Sequence, residues 1–238
     1  MSVSDVYIAL VPAAGVGARM LSDRPKQYLE VDGKPILWHT IAALHQDARI
    51  SQVCVVIAPD DPWFDQFTWT DLPLLRVEKV GGASRAESVR NGLAALDVDI
   101  TKKNPWILVH DAARPCLGGK ELTALMNEVS GDSVGGILAV PVPDTVKRAN
   151  ADFHIVETVP REVLWLAQTP QMFRWGLLSK AHEGSLKLVT DEASAIEALG
   201  LSPRLVSGSR NNLKVTFPED MMVVSALLGG LKQSNPSS

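Results

Sequence analysis

The chain has 238 residues, 46% of them hydrophobic, which is enough for one α/β domain or two small ones with a full core. A charged fraction of 21% and a net charge of −4 leave no basic excess for a nucleic-acid partner, so any phosphate-binding charge must be concentrated locally. Two cysteines, Cys54 and Cys116, exclude a disulfide framework. No apolar run reaches the roughly 20 residues of a membrane span. The opening Met-Ser-Val-Ser-Asp lacks the basic and apolar stretches of a leader, so a cytoplasmic location is expected.

In chain order, the apolar run Tyr7–Val11 reads as a buried strand that ends in a small-residue loop. Ala13, Ala14, Gly15 and Gly17 let backbone N–H groups approach phosphate oxygens, and Arg19 and Lys26 follow with full positive charge. A dinucleotide fingerprint needs a third Gly or Ala where Met20 stands, and no Gly-Lys-Ser/Thr completes a Walker loop. The next elements read as a helix over Pro35–Gln46, with Pro35 in its first turn, and a strand over Val53–Ala58 that buries Cys54. A strand over Leu74–Val80 then leads to Gly81-Gly82 and a helix over Ser84–Leu96 with capping-box spacing, Ser84 to Glu87. Gly82 and Ser88 are placed to touch a base or sugar, although the stretch alone reads first as a capped helix after a tight turn.

A strand over Trp106–His110 ends at Asp111, three residues before Arg114. At a strand's carboxyl end, Asp111 is suited to Mg²⁺, directly or through water, or to substrate hydroxyls. Arg114 suits an anionic substrate, and Cys116 is a candidate to line the same site. The bland alternative is a local Asp–Arg pair. A helix over Lys120–Val129 and a strand over Gly136–Val142 follow. Thr145–Ala149 and His154–Val159 then read as a β-hairpin that interrupts the α/β order. A hairpin with exposed edges calls for a partner, most simply a second copy of the chain. Helices are expected near 174–184, 190–199 and 218–228, with a strand near 204–207 and a short one at Leu213–Thr216 carrying Lys214. The βαβα order implies a doubly wound, mainly parallel sheet, whose ligands gather at the strands' carboxyl ends. No linker divides residues 1–238, so a single domain is expected, with an arm at about 143–163. The five histidines show no metal-ligand spacing, and no Gly-x-Ser-x-Gly elbow is present.

Taken in order, Pro12–Met20, Pro25–Tyr28, Gly81–Val89, His110–Pro115, Asp144–Arg148, Thr158–Arg161, Thr169–Gln171, Thr190–Ala193 and Leu213–Thr216 resemble the 2-C-methyl-D-erythritol 4-phosphate cytidylyltransferase family. The resemblance spans nearly the whole chain. It implies a nucleotide-diphospho-sugar transferase-like fold and a β-arm that clasps a twofold mate. It also implies a reaction joining CTP to a small polyol phosphate with release of pyrophosphate, helped by Mg²⁺ or another hard divalent cation. On the matching positions, Arg19, Lys26, Arg161 and Lys214 would be catalytic. Ala13, Ala14, Gly15, Gly82 and Ser88 would hold the nucleotide. Asp111, Arg114, Thr145 and Thr169 would meet the second substrate, with Thr145 and Arg161 reaching into the partner's site. Asn211 stands where the family commonly has Asp, and Ala18 where a basic residue is common. A ribitol 5-phosphate cytidylyltransferase shares the fold and most phosphate-handling residues. A non-catalytic nucleotide-binding module is the alternative from another class.

Overall fold

The computed structural model describes residues 5–15, 24–98, 104–184 and 186–234. Its elements are β1 (Tyr7–Pro12), β2 (Glu30–Val31), β3 (Lys34–Pro35), α1 (Ile36–Leu44), β4 (Ile50–Val56), β5 (Leu75–Glu78), α2 (Arg85–Ala95), β6 (Trp106–Val109), α3 (Gly119–Val129) and β7 (Gly135–Pro141). They continue as β8 (Val146–Ala149), β9 (Ile155–Val159), β10 (Trp165–Arg174), α4 (Trp175–Ala181), α5 (Glu192–Glu197), β11 (Arg204–Ser207) and α6 (Asp220–Ser234).

Seven strands form one sheet in the order β11-β7-β10-β6-β1-β4-β5. β1 pairs in parallel with β4 and β6, β4 with β5, and β7 with β11, whereas β10 is antiparallel to both neighbours. β1 is apolar along its length because both faces are covered, as expected for a central parallel strand. Alternate side chains go to opposite sides. Ala9 and Val11 meet Leu37 and Ile41 of α1 and Leu122 and Leu125 of α3. Ile8 and Leu10 meet Val89 and Leu93 of α2, with Leu178 of α4 and Ile196 of α5. After β1 the chain steps outward to β4 and β5, then returns to the other side of β1 as β6. The sheet therefore reverses between β1 and β6, the position where open α/β sheets form a ligand crevice.

Four local features differ from the sequence expectation. β10 is a strand of 10 residues where only a polar motif was read. Its Gln168-Thr169-Pro170 interruption hides the alternation, and the ladder to β7 shifts register between Ala167 and Gln171 to pass it. Leu213–Thr216 forms no ladder; it is held by single bonds such as Val215 N–H to the Ala113 carbonyl at 2.9 Å. Pro35 precedes α1 in extended conformation and ends β3, rather than sitting inside the first turn. The β2–β3 hairpin turns at Asp32 and Gly33, with φ of 52° and 72°. Two consecutive left-handed residues suit a tight hairpin, and the Asp-Gly pair is its sequence signal.

β8 and β9 pair only with each other, Val146 opposite Val159 and Lys147 opposite Thr158. The Asn150 side-chain carbonyl accepts from the N–H groups of Asp152 and His154 and closes the turn. Phe153, Ile155 and Val156 are exposed on this hairpin. Among the described residues, no helix is long and apolar enough to cross a membrane.

Candidate active site

The carboxyl ends of β1 and β6 and the loop after β5 meet at a cleft of about 390 Å³. Ala13, Ala14 and Gly15 form one wall and Gly82 to Ser84 another, with Lys26, Asp111 and Lys214 between them. The first wall is held from behind. The Gln27 carboxamide, almost fully buried, donates to the carbonyls of Ala13 at 2.8 Å and Gly15 at 2.9 Å. Gln27 thereby fixes the orientation of both carbonyls along this wall. A Cβ on Gly15 would meet nothing within 4 Å, so the cleft is open beside that backbone. Gly81 is a different case. Its N–H bonds the Ile57 carbonyl at 2.8 Å, and a Cβ there would lie 2.3 Å from that of Ala14. The two loops approach closely because that side chain is missing.

The start of α2 forms the opposite wall. Ser84 Oγ accepts from the Glu87 N–H at 3.1 Å, as the capping spacing requires. The reciprocal bond is displaced by one residue, since the Glu87 carboxylate accepts from the Ala83 N–H at 2.8 Å. Ser88 Oγ donates to the Ser84 carbonyl and accepts from the Gly82 N–H. Its hydroxyl braces the turn that shapes the wall.

Asp111 is the electrostatic centre. One carboxylate oxygen accepts from Arg85 Nε at 2.9 Å. The other lies 2.8 Å from Lys214 Nζ and 3.5 Å from Arg114 Nε. Burial works to raise this carboxyl, but the charges of Arg85, Lys214 and Arg114 prevail and hold it well below the usual carboxylate range. Arg114 also donates to the Asn212 carbonyl at 2.6 Å, and Lys26 donates to the Val215 carbonyl at 2.7 Å. The stretch 212–215 is thereby tied to Lys26 of the cleft and to Arg114 beside it without joining the sheet. Four cations, Lys26, Arg85, Arg114 and Lys214, surround the region, so it favours an anionic ligand in a chain that is acidic overall.

Beneath Asp111 lies a neutral hydrogen-bond chain. Thr169 Oγ1 accepts from the Asp111 N–H at 3.0 Å and lies 2.9 Å from His110 Nδ1. His110 Nε2 lies 3.1 Å from the Arg114 carbonyl, which can only accept. The proton therefore sits on Nε2, and the Thr169 hydroxyl donates to Nδ1. Burial pushes the His110 imidazole down to about 4.

Of the residues expected from sequence, Ala13, Ala14, Gly15, Lys26, Gly82, Ser88, Asp111 and Lys214 line the cleft. Arg114 and Thr169 line a smaller adjoining cavity of about 100 Å³, which shares Arg85, Asp111 and Lys214 with the first. Arg19 and Gly17 lie outside the described residues. Thr145 and Arg161 are exposed and border neither cavity of their own chain; Arg161 bonds the Pro143 carbonyl. Cys116 does not line the site, because it is buried among Val31, Ile36 and Val224. Lys214 is not merely a charge reaching for water from a strand: it has a carboxylate partner and no strand around it. The local Asp–Arg pair exists too, so Arg114 both braces the turn and faces the cavity. Gln27, Arg85 and Glu192 had no assigned role from sequence. All three lie inside short motifs, but their partners lie elsewhere in the chain.

The family model described as 2-C-methyl-D-erythritol 4-phosphate cytidylyltransferase matches residues 7–230. A protein of that name from Chromobacterium violaceum is 54% identical over 222 residues, covering 93% of this chain and 97% of its own. One from Dechloromonas aromatica is 52% identical over 227 residues, covering 95% and 99%. A crystal structure of 4-diphosphocytidyl-2C-methyl-D-erythritol synthase superposes with a TM-score of 0.82 at 43% identity, covering 95% of this chain and 100% of that one.

Proposed function

The chain belongs to the 2-C-methyl-D-erythritol 4-phosphate cytidylyltransferase family, and we infer that it joins CTP to 2-C-methyl-D-erythritol 4-phosphate, giving CDP-methylerythritol and pyrophosphate in non-mevalonate isoprenoid biosynthesis. The observation that carries this reading is the cationic ring around Asp111, set where a glycine loop and a helix N-terminus converge. It suits two phosphate-bearing substrates brought together, one in each adjoining cavity.

The chemistry is an in-line displacement. A phosphate oxygen of the polyol substrate attacks the α-phosphorus of CTP, a new P–O bond forms, and the α–β bridging P–O bond breaks as pyrophosphate leaves. Little covalent work falls to the protein, so positioning and charge stabilisation dominate. In this reading Ala13, Ala14, Gly15, Gly82 and Ser88 frame the nucleotide, and Arg19 and Lys26 offset charge on the transferring phosphates. Lys214, steadied by Asp111, orients the attacking phosphate. Asp111 and Arg114 meet the polyol phosphate, with Thr169 holding the Asp111 backbone.

Mg²⁺, or another hard divalent cation, belongs to the same reading: Asp111 would help hold it beside the nucleotide, and it would offset the mutual repulsion of the phosphates. The donor set suits such a shared arrangement. Asp111 is the carboxylate bordering the larger cleft, and no group of three metal-ligating side chains occurs among the described residues.

The reading includes a homodimer built through the β8–β9 hairpin, with Thr145 and Arg161 of each chain completing the partner's site. Support comes from the exposed apolar side chains of the hairpin and from two expected site residues that lie away from their own cleft. A cytoplasmic setting, with neither nucleic acid nor membrane as a partner, accompanies it.

The test is pyrophosphate release from CTP and Mg²⁺, with methylerythritol phosphate in one reaction and ribitol 5-phosphate in another. Release with the first substrate alone is expected. Release with the second alone reassigns the polyol, and CTP binding without release from either moves the chain to the binding-module class.

A further inference from the structure

Glu192 is an acid with no exposure to solvent and no role in the chemistry above. It opens α5, directly after Asp191, whose side chain caps that helix by accepting from the Ser194 N–H. Both oxygens of Glu192 are taken by one guanidinium: Arg85 Nη1 reaches Oε1 at 2.7 Å, and Nη2 reaches Oε2 at 2.9 Å. A third N–H of the same group, on Nε, bonds Asp111. Arg85 borders both the nucleotide-sized cleft and the smaller cavity beside it. A two-toothed Arg–carboxylate pair fixes the guanidinium plane as well as its position. With one N–H of each terminal nitrogen held by Glu192, the guanidinium is fixed so that its Nε–H is aimed at Asp111.

The charge arithmetic gives this arrangement a purpose. Asp111 is one carboxylate among three cations, Arg85, Arg114 and Lys214. An uncompensated Arg85 would draw the carboxylate toward itself and away from Lys214. Glu192 carries the matching negative charge, which leaves one Asp111 oxygen for Lys214. Lys214 needs that anchor, since its segment has no sheet ladder and its side chain is 42% exposed. We propose that Glu192 is a positioning residue that acts through Arg85 to set the Asp111 carboxylate, and thereby Lys214, at the junction of the two cavities. The catalytic consequence rests on the functional reading above; the geometric one does not.

The experiment compares the full-length chain with its Glu192→Gln variant, which keeps the shape and removes the charge. Limiting acetic anhydride is applied and acetylation of Lys214 is read by mass spectrometry against exposed Lys180 on α4. The normalised Lys214 rate is expected to rise about threefold as its ion pair loosens. In turnover, kcat falls about tenfold while the KM for CTP stays within about threefold, a split that general loss of packing would not produce. An unchanged Lys214 rate in the folded variant overturns the inference, whatever the turnover does. Should Glu192→Gln not fold, Arg85→Lys replaces it: it keeps the cation, loses the fork, and is expected to raise the Lys214 rate in the same direction. A parent chain without turnover removes the functional reading and leaves the labelling result to decide this one.

Discussion

Around Asp111, cations and carboxylates find partners within a single chain, drawn from the turn after β6, α2, α5 and segment 213–216. The β8–β9 hairpin is the opposite case: Phe153 is 92% exposed and Ile155 66% exposed, and the hairpin pairs only with itself. The first region is self-sufficient as a folded object, and its charges are fixed by other charges. The second is a structure without a covering surface, yet it lies beside two residues expected to complete a site. The contrast separates what one chain can organise from what two chains are proposed to share.

The largest effect expected is on the self-sufficient side. Lys26→Ala should lower turnover about a hundredfold or more, as removal of a transition-state charge donor does elsewhere. Arg19→Ala should do the same. Near-parental turnover in purified, folded Lys26→Ala would break the assignment of the cleft to phosphate handling.

The sharing itself is tested by mixing. Arg161→Ala and Lys214→Ala chains, each inactive alone, should regain about a quarter of parental activity after subunit exchange, because one of the two sites in each mixed dimer is intact. Verified exchange without recovery would place both residues in the same chain's site and remove the functional role of the hairpin.

The last effect is on stability rather than turnover and belongs to the buried chain beneath Asp111. Folded His110 resists protonation down to about pH 4, whereas the unfolded chain takes up that proton near 6.5. Between those values the unfolded state binds more protons, so stability falls as the pH drops. The loss approaches about 3 kcal/mol by the lower end. Asp111 works outside this window: its lowered value keeps its stabilisation intact until the pH falls below the ordinary carboxylate value of 3.8. Denaturant unfolding from pH 7 to pH 4 should show the slope, and His110→Gln should flatten it. An equal slope in the variant would assign the acid sensitivity to other groups.

The sequence was most informative where the physics is local. The apolar run of β1, the strand at Arg204–Ser207, the Ser84 cap and the glycine turns all follow from residue pattern and neighbours a few positions away. The same holds for the β8–β9 hairpin, whose turn is closed by its own Asn150. Lys26, Asp111 and Lys214 could be singled out because each sits in a short motif, and the resemblance supplied their order. β10 was illegible because its ladder is made by backbone groups of β6 and β7, while its own Gln168–Pro170 stretch looks like a loop.

The tertiary structure alone decided which residues are tied together. Gln27 reaches back to Ala13 and Gly15, and Glu192 reaches Arg85 across 107 positions of sequence. A charge in a sequence gives no sign of its partner, because Coulomb attraction and desolvation depend on distance and burial rather than on order along the chain. The sequence by itself determined the strand-and-loop framework and the chemistry available at its ends. Folding determined that Asp111 stands among three cations, that a fully buried acid balances one of them, and that Thr145 and Arg161 border neither cavity of their own chain.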